Sequence, residues 1–568
     1  MPTPLPASNL DFLGWTWSQI EPLYAALEAH PLTADTLEDW VADWGRLGKH
    51  VDEGYWRLWV APTLNTLDEA AQTRFQTYLS TIHEPAIAAE SRLKAKLLTS
   101  GLHPKGFDNP LRNMQAEVDI FSEANLPLLT EEHRLGNEYD RLRSLQTVMW
   151  EGQETALVQL EPVYRDPQRT RREQAWRLGM ERCLQDRDAM NALWVDMMQV
   201  RHQLALNSGL PDYRAYKWQQ LLRLDYTPQD CEMFHDSIEQ VVVPAVQRIL
   251  TKRRKHLKLD TVRPWDLDVE IDDLPPLHPF SGVEQLQDKA AAVMESLDPD
   301  LSAYYQTMRR EGLLDLDNRP GKMPSSYCAT YAVVERPFVF MNITGTHDDV
   351  MTLFHECGHA FHTFECTHLP HHEHLHIGLE FHEVAATALE LLAAPHLVST
   401  GFYSPQDAAR ARITHLKAFL RFWPYCAVVD AFQHWAYTHP DDMLDPARCD
   451  AQWAALWGRF MQGEDWSGLD EIMMTGWQRK LHVFRSPLYF IEYGLAQLGA
   501  VQIAQRAHEN EADAITHYRK ALALGGTVSL PELFTVAGAK LAFDADTLAQ
   551  AVNYIEDTIA ELEAQADV

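Results

Sequence analysis

The sequence predicts a mainly α-helical protein, and three observations carry that reading. Long runs of the 568 residues show apolar side chains at helical spacing. Only two short neighbouring stretches show strong strand-like patterning, SSYCATYAVV and RPFVFMNITGT. Hydrophobic residues make up 46% and charged residues 23%, a composition that supplies a large core. A chain of this length suits three or four average domains or one large two-lobed helical body.

Taken in order, residues 10–101 read as three or four helices rich in Ala, Leu, Glu and Trp, as in IEPLYAALEAH and WVADWGRLGKHVDEGYWRLWV. Helical patterning continues through residues 116–150, where heptads too short-lived for a free-standing coiled coil point to packed antiparallel helices. ALVQLEPVYR, residues 156–165, is expected to be a short extended segment. Asp166 and Pro167 then open a helical run that closes at Gly209. The next helix ends in a basic cluster, Lys252 to Lys255, which suits a helix C-terminus better than a binding patch in so acidic a chain. VRPWDLDVEIDDLPPLHPFSG, dense in Pro and Asp, is expected to be an irregular connection. The two strand-like stretches come next, joined through Glu335 as a hairpin, and more helices run to the end. The division expected from this character is an N-terminal helical lobe, residues 1–190, and a second helical lobe, residues 191–568.

Charge and composition exclude several functions. The formal net charge of -32, from 81 acidic and 49 basic side chains, opposes binding to nucleic acid or an anionic membrane surface. No apolar stretch approaches the roughly 18–20 residues that span a bilayer, and MPTPLPASNLDFLGW lacks the pattern of a signal peptide. Seven scattered cysteines form no C-x-x-C pair and fit a reducing compartment, so a soluble, cytoplasmic protein is expected. The sequence leaves the oligomeric state open.

Immediately after the expected hairpin, His355, Glu356 and His359 spell HECGH in a helix-compatible run. Residues four apart share one helix face, so the two imidazoles can hold one zinc ion while Glu356 flanks an open coordination position. Gly358 in the same turn lets another backbone or a substrate come close. Cys357 turns away from the His355–His359 stripe and reads as a small packing residue. A third ligand is expected at Glu383, 24 residues beyond His359 on the apolar helix LEFHEVAATALELL. Glu390, nearly two turns further, points from the same side and can orient a ligand imidazole. The cluster His371, His372, His374 and His376 could form a second metal site, but a surface loop is the expected reading.

The order VFMNITGTHDDVMTLFHECGHAFH, then FHEVAATALELL, then HVFRSPLYFIEYGLAQ resembles the thimet oligopeptidase and oligoendopeptidase F family of zinc peptidases, most closely its compact bacterial oligoendopeptidase or Pz-peptidase branch. The resemblance covers roughly residues 140–568. It implies a two-lobed helical body with a deep central channel, one zinc ion per chain at its floor, a small β-sheet beside the zinc helix, and short peptides as substrates. His355, His359 and Glu383 match the metal ligands and Glu356 the general base. His482 and Tyr493 match residues that face the substrate carbonyl, with Tyr489 as a further substrate-binding residue. The sequence departs from the family at Phe490, where a tyrosine is usual, so that the second hydroxyl comes from Tyr489 or Tyr493 works with His482 alone. The expected function is therefore a zinc endopeptidase of short oligopeptides. Its rivals are a zinc carboxypeptidase on a similar helical body and a non-enzymatic helical peptide-binding protein.

Overall fold

The turn that aims the HECGH helix is built by one carboxylate. Asp349 Oδ2 accepts the backbone N–H groups of Thr344, Gly345 and Thr346 at 2.8, 2.7 and 2.8 Å, ending the preceding strand and capping the helix after it. In the computed structural model, residues 4–269 and 277–566 are described. The helices used below are α1 (Leu37–Leu64), α2 (Pro228–Ser237), α3 (His347–Glu365), α4 (Leu379–Ala393), α5 (Pro405–Thr438) and α6 (Phe490–Leu522). The strands are β1 (Thr147–Trp150), β2 (Gln153–Ala156), β3 (Leu314–Asp315), β4 (Tyr327–Tyr331) and β5 (Arg336–Phe340).

The mainly helical expectation holds, and so does the hairpin. β4 and β5 pair antiparallel from Tyr327 opposite Phe340 to Tyr331 opposite Arg336, with Glu335 at φ 54 in the connecting turn. β3 adds parallel to β5, giving the order β3-β5-β4. This sheet packs on α3, while Tyr327 reaches α1, its ring 4.5 Å from that of Trp59.

Three local expectations are corrected. The extended segment near residue 156 lies earlier: β1 and β2 form a hairpin across Glu151 and Gly152, both at positive φ, the turn that suits strand twist. Residues 157–164 are instead helical turns, with Pro162 at a helix start where its missing N–H costs nothing. The run before Gly209 is two helices that break at Asp186, whose carboxylate accepts from Gln146 and Arg182 at 2.8 and 2.7 Å. The histidine cluster is only in part a surface loop, since His371, His372 and His374 are 7%, 8% and 3% exposed while the side chain of His376 is 52% exposed. The segment crosses α1 so closely that a Cβ on Gly48 would stand 2.9 Å from His372, and Phe107 stacks against His371 and His374. Part of the irregular connection expected at residues 262–282 lies outside the described residues; the rest contains one 3-10 turn, Pro264–Asp266.

Two large apolar cores hold the chain together. One draws on residues from Phe12 to Met114, the other on residues from Ile120 to Leu562. Ile120, Leu135, Tyr139 and Met190, in the range grouped with the N-terminal lobe on sequence character, pack in the same core as the C-terminal helices. Among the described residues no helix is long and apolar enough to cross a membrane.

Candidate active site

α3 and α4 cross in contact, and the small residues at the crossing set how close they come. An ideal Cβ on Gly358 would lie 2.5 Å from the Ala385 carbonyl oxygen and from Ala386 Cα, so the backbones touch where HECGH faces the glutamate helix. That closeness brings one donor atom each from His355, His359 and Glu383 within 4.8 Å of one another. His355 Nδ1 is bonded to Glu390 Oε1 at 2.8 Å, and its Nε2 stands 3.5 Å from Glu383 Oε2. The other Glu390 oxygen takes His415 Nε2 of α5 at 2.9 Å. A chain His415–Glu390–His355 therefore fixes the ring and leaves Nε2 aimed at the other two donors. Tyr489 donates its hydroxyl to Glu383 Oε1 at 2.9 Å, which fixes that carboxylate in the same way.

These residues fit a metal ion. Glu383 Oε2 and His359 Nδ1 are buried with no hydrogen-bond partner, a costly state that coordination would relieve. Two imidazoles and a carboxylate, all from protein, form the donor set of an open catalytic zinc site. Among the described residues, the cluster at His371–His376 forms no such group.

The electrostatics match the arrangement. Burial, reinforced by Glu383 and Glu390, pushes the Glu356 carboxyl up to about 7, against the pull of His355. Burial opposes charge on His355, yet Glu383 and Glu390 carry it well above its ordinary value. His359 is held well below its ordinary value by burial and by His382, whose ring stacks on it at 4.1 Å. His482 is lowered to about 4 by burial and Lys480, so it is neutral at pH 7 and keeps an N–H to donate.

The segment after His482 forms the opposite wall. The rings of Tyr493 and Tyr489 lie 5.8 and 6.2 Å from that of His482. Burial, then Glu383, raises both phenols and keeps them protonated as donors. Phe490 belongs to the same wall without a hydroxyl, its ring 4.8 Å from that of His482 and 5.7 Å from that of Tyr493. It is 3% exposed, against Phe422 and Tyr425, with Lys480 Nζ 3.9 Å above its ring. Tyr489 and Tyr493 are thus the phenols near Glu383.

Sequence reasoning missed the residues that hold this wall. Leu488 has φ 61, a strained value for a non-glycine residue. Its N–H donates to Gln433 Oε1 of α5 at 2.8 Å and its carbonyl accepts from Arg223 at 2.5 Å. Arg223 also bonds Glu492 at 2.7 Å, and Arg201 donates to the carbonyls of Val483 and Phe484 at 2.9 and 2.6 Å. Both arginine side chains are buried, Arg201 on a helix and Arg223 just after one, and nothing in their local sequence marks them apart from the other basic residues.

Comparison with known proteins agrees with the geometry. The structure superposes on that of "PZ peptidase A with inhibitor 2" with a TM-score of 0.88, at 24% identity and over 99% of both chains. An oligoendopeptidase F homolog of Mycoplasma pneumoniae is 21% identical over 76% of this chain and 73% of its own. The oligopeptidase PepF of Bacillus subtilis is 25% identical over 30% of this chain and 25% of its own. The family model "Peptidase family M3" matches residues 163–552, more than half of the chain and the whole of the site described above. The chain therefore belongs to peptidase family M3, the metallopeptidase family its HECGH helix and glutamate helix point to.

Proposed function

We propose that this protein is a zinc-dependent endopeptidase that cleaves internal bonds of short oligopeptides. The observation that carries the reading is the convergence of His355, His359 and Glu383, each braced from behind or left without a partner, beside the buried carboxyl of Glu356. His355, His359 and Glu383 would hold one zinc ion per chain, with Glu390 orienting His355. Bound there, zinc supplies a Lewis acid that lowers the pKa of water and polarises a carbonyl.

The protein's own groups supply the rest. Glu356 takes the proton of the attacking water and passes it to the leaving amine. Tyr493 and neutral His482 donate to the oxyanion that develops on the scissile carbonyl. Tyr489 steadies Glu383 and lines the substrate side of the same wall. A two-lobed body with a channel between the lobes would admit unfolded short peptides and exclude folded proteins. The names of the Mycoplasma and Bacillus relatives, an oligoendopeptidase and an oligopeptidase, support oligopeptides as the substrate class.

Replacing Glu356 by Gln tests the assignment. The variant should fold and bind zinc yet lose at least about a hundredfold in rate, the low end for a general base; full activity would refute the role. Digestion of a mixed-length peptide library, mapped by mass spectrometry, tests the substrate class. Internal cleavage is expected. Stepwise loss of single C-terminal residues would indicate a carboxypeptidase, and no cleavage by zinc-loaded protein a binding protein.

A further inference from the structure

Behind the wall that carries the tyrosines, two helices bring together a second set of metal-binding side chains. α2 offers Cys231 and His235, and α5 offers Asp430 and His434, each pair four residues apart and so on one helix face. All four are buried, at 0%, 3%, 0% and 4% exposure. Donor atoms of Cys231, Asp430 and His434 lie within 4.8 Å of one another. His235 Nε2 stands 2.9 Å from Asp430 Oδ2.

We propose that Cys231, His235, Asp430 and His434 form a closed, four-ligand site for a zinc-class divalent cation, separate from the catalytic centre. His434 Nε2 lies 3.2 Å from Asp430 Oδ2, the oxygen that also takes His235 Nε2 at 2.9 Å, and Asp430 Oδ1 has no partner. Buried donors gathered round one carboxylate whose second oxygen is unpaired have the placement of ligands flanking a common point. The donor set also balances charge: a thiolate and a carboxylate neutralise a dication, and two neutral imidazoles complete a tetrahedron. Thiolate and imidazole select zinc over magnesium or calcium. No donor is left for solvent, so the site is structural. Gln433, beside His434, holds the Leu488 N–H, so an ion here would fasten α2 to α5 directly behind the Tyr489–Tyr493 segment.

One group must move when the ion enters. Arg214 Nη1 lies 3.2 Å from His434 Nδ1 and donates to it, which puts the ring proton on Nε2. Loading shifts that proton to Nδ1 and turns Arg214 toward Glu232, already 3.5 Å away. The His235 proton moves from Nε2 to Nδ1 in the same way, and the Cys231 thiol proton passes to solvent.

Cobalt replaces zinc in such sites and reports a thiolate ligand by charge-transfer absorption in the near ultraviolet. The catalytic site has no thiolate ligand, so the band belongs to this site alone. Full-length protein produced in cobalt-supplemented medium should carry about two ions per chain and show the band. Cys231→Ser should lose the band and one ion while still cleaving peptides, and His355→Ala should keep the band. One ion per chain and no thiolate band in the wild-type protein would overturn the proposal and leave Asp430 as the centre of a hydrogen-bonded network without a metal. That result needs no variant to fold, and it leaves the peptidase assignment untouched.

Discussion

Gly358→Ala is the smallest change that should uncouple the two site helices. The added methyl would stand 2.5 Å from the Ala385 carbonyl oxygen and Ala386 Cα, and 2.9 Å from the Ala385 carbonyl carbon. Non-bonded heavy atoms settle at about 3.5–4.0 Å, so α3 and α4 must part by about 1 Å, because backbone atoms cannot rotate aside. Overpacking of this kind costs about 1–3 kcal/mol, and alanine returns up to about 1 kcal/mol in helix propensity. The net loss of stability is thus up to about 2 kcal/mol. The effect on activity is larger, since the displacement acts directly on the distance from His355 and His359 to Glu383, and a 1 Å misplacement costs about a hundredfold. The assay is kcat/KM on an internally quenched peptide, together with zinc content after dialysis and thermal unfolding. Gly458→Ala is the control: it is also helical, has nothing within 4 Å, and should be fully active and slightly more stable. If Gly358→Ala cleaves within twofold of wild type and keeps its zinc, the close crossing does not set the site.

Three further outcomes are expected from contacts around the site. Glu390→Gln or His415→Ala should weaken zinc binding by about 10–100-fold, the usual cost of losing a group that orients a ligand; unchanged affinity in a chelator competition would remove that role. Arg223→Met leaves the Leu488 carbonyl and Glu492 without their buried partner and should cost about 3–5 kcal/mol, read as a lower urea midpoint. Glu132 is paired with buried Arg201 at 2.7 Å; burial opposes its charge, but Arg201 holds its pKa below the ordinary 4.5. Its contribution is thus complete above pH 4.5 and lost as pH falls through the depressed value. The stability gap between wild type and Glu132→Gln should close in acid, and a gap independent of pH would contradict the pairing.

How much of this site is legible in the sequence depends on how local each relation is. His355, Glu356 and His359 lie within one helical turn and a half, and Glu383 and Glu390 within two, so periodicity places them on shared faces before any tertiary contact is known. The β4–β5 hairpin is similarly local. His415 is 60 residues from His355, and the hydrogen-bonded chain through Glu390 exists only because α5 packs where it does. Arg201 and Arg223 look like ordinary surface charges until burial shows them holding carbonyls more than 260 residues away. The histidine cluster fails in the opposite direction: its polarity suggests solvent, but Gly45 and Gly48 leave a groove on α1 that the backbone at His371 and His372 and the His372 ring fill. A histidine run is compatible with either environment, and only the packing partner decides.

The sheet beside the zinc helix bears on how peptides are held. In the order β3-β5-β4, β5 is paired on both sides, whereas β4 has a single strand neighbour among the described residues. Of the two hairpin strands, β4 is therefore the one that can take an incoming peptide, since both edges of β5 are already paired. Thr330 of β4 also lines a cavity of about 70 Å³ together with His359, His362 and His382, which puts that strand within reach of the catalytic helix. An extended substrate added to this edge would bind through backbone hydrogen bonds, with broad sequence tolerance and length as the main filter. Each such bond contributes about 1 kcal/mol net, roughly a fivefold factor in binding. A substrate series methylated at one backbone nitrogen at a time tests this without altering side chains. Cleavage should fall about fivefold at alternate positions, since successive residues of a strand turn their N–H groups to opposite sides. Equal rates across the series, or a peptide-bound structure whose substrate backbone makes no contact with Tyr327–Tyr331, would rule out the edge as the docking site while leaving the metal assignment intact.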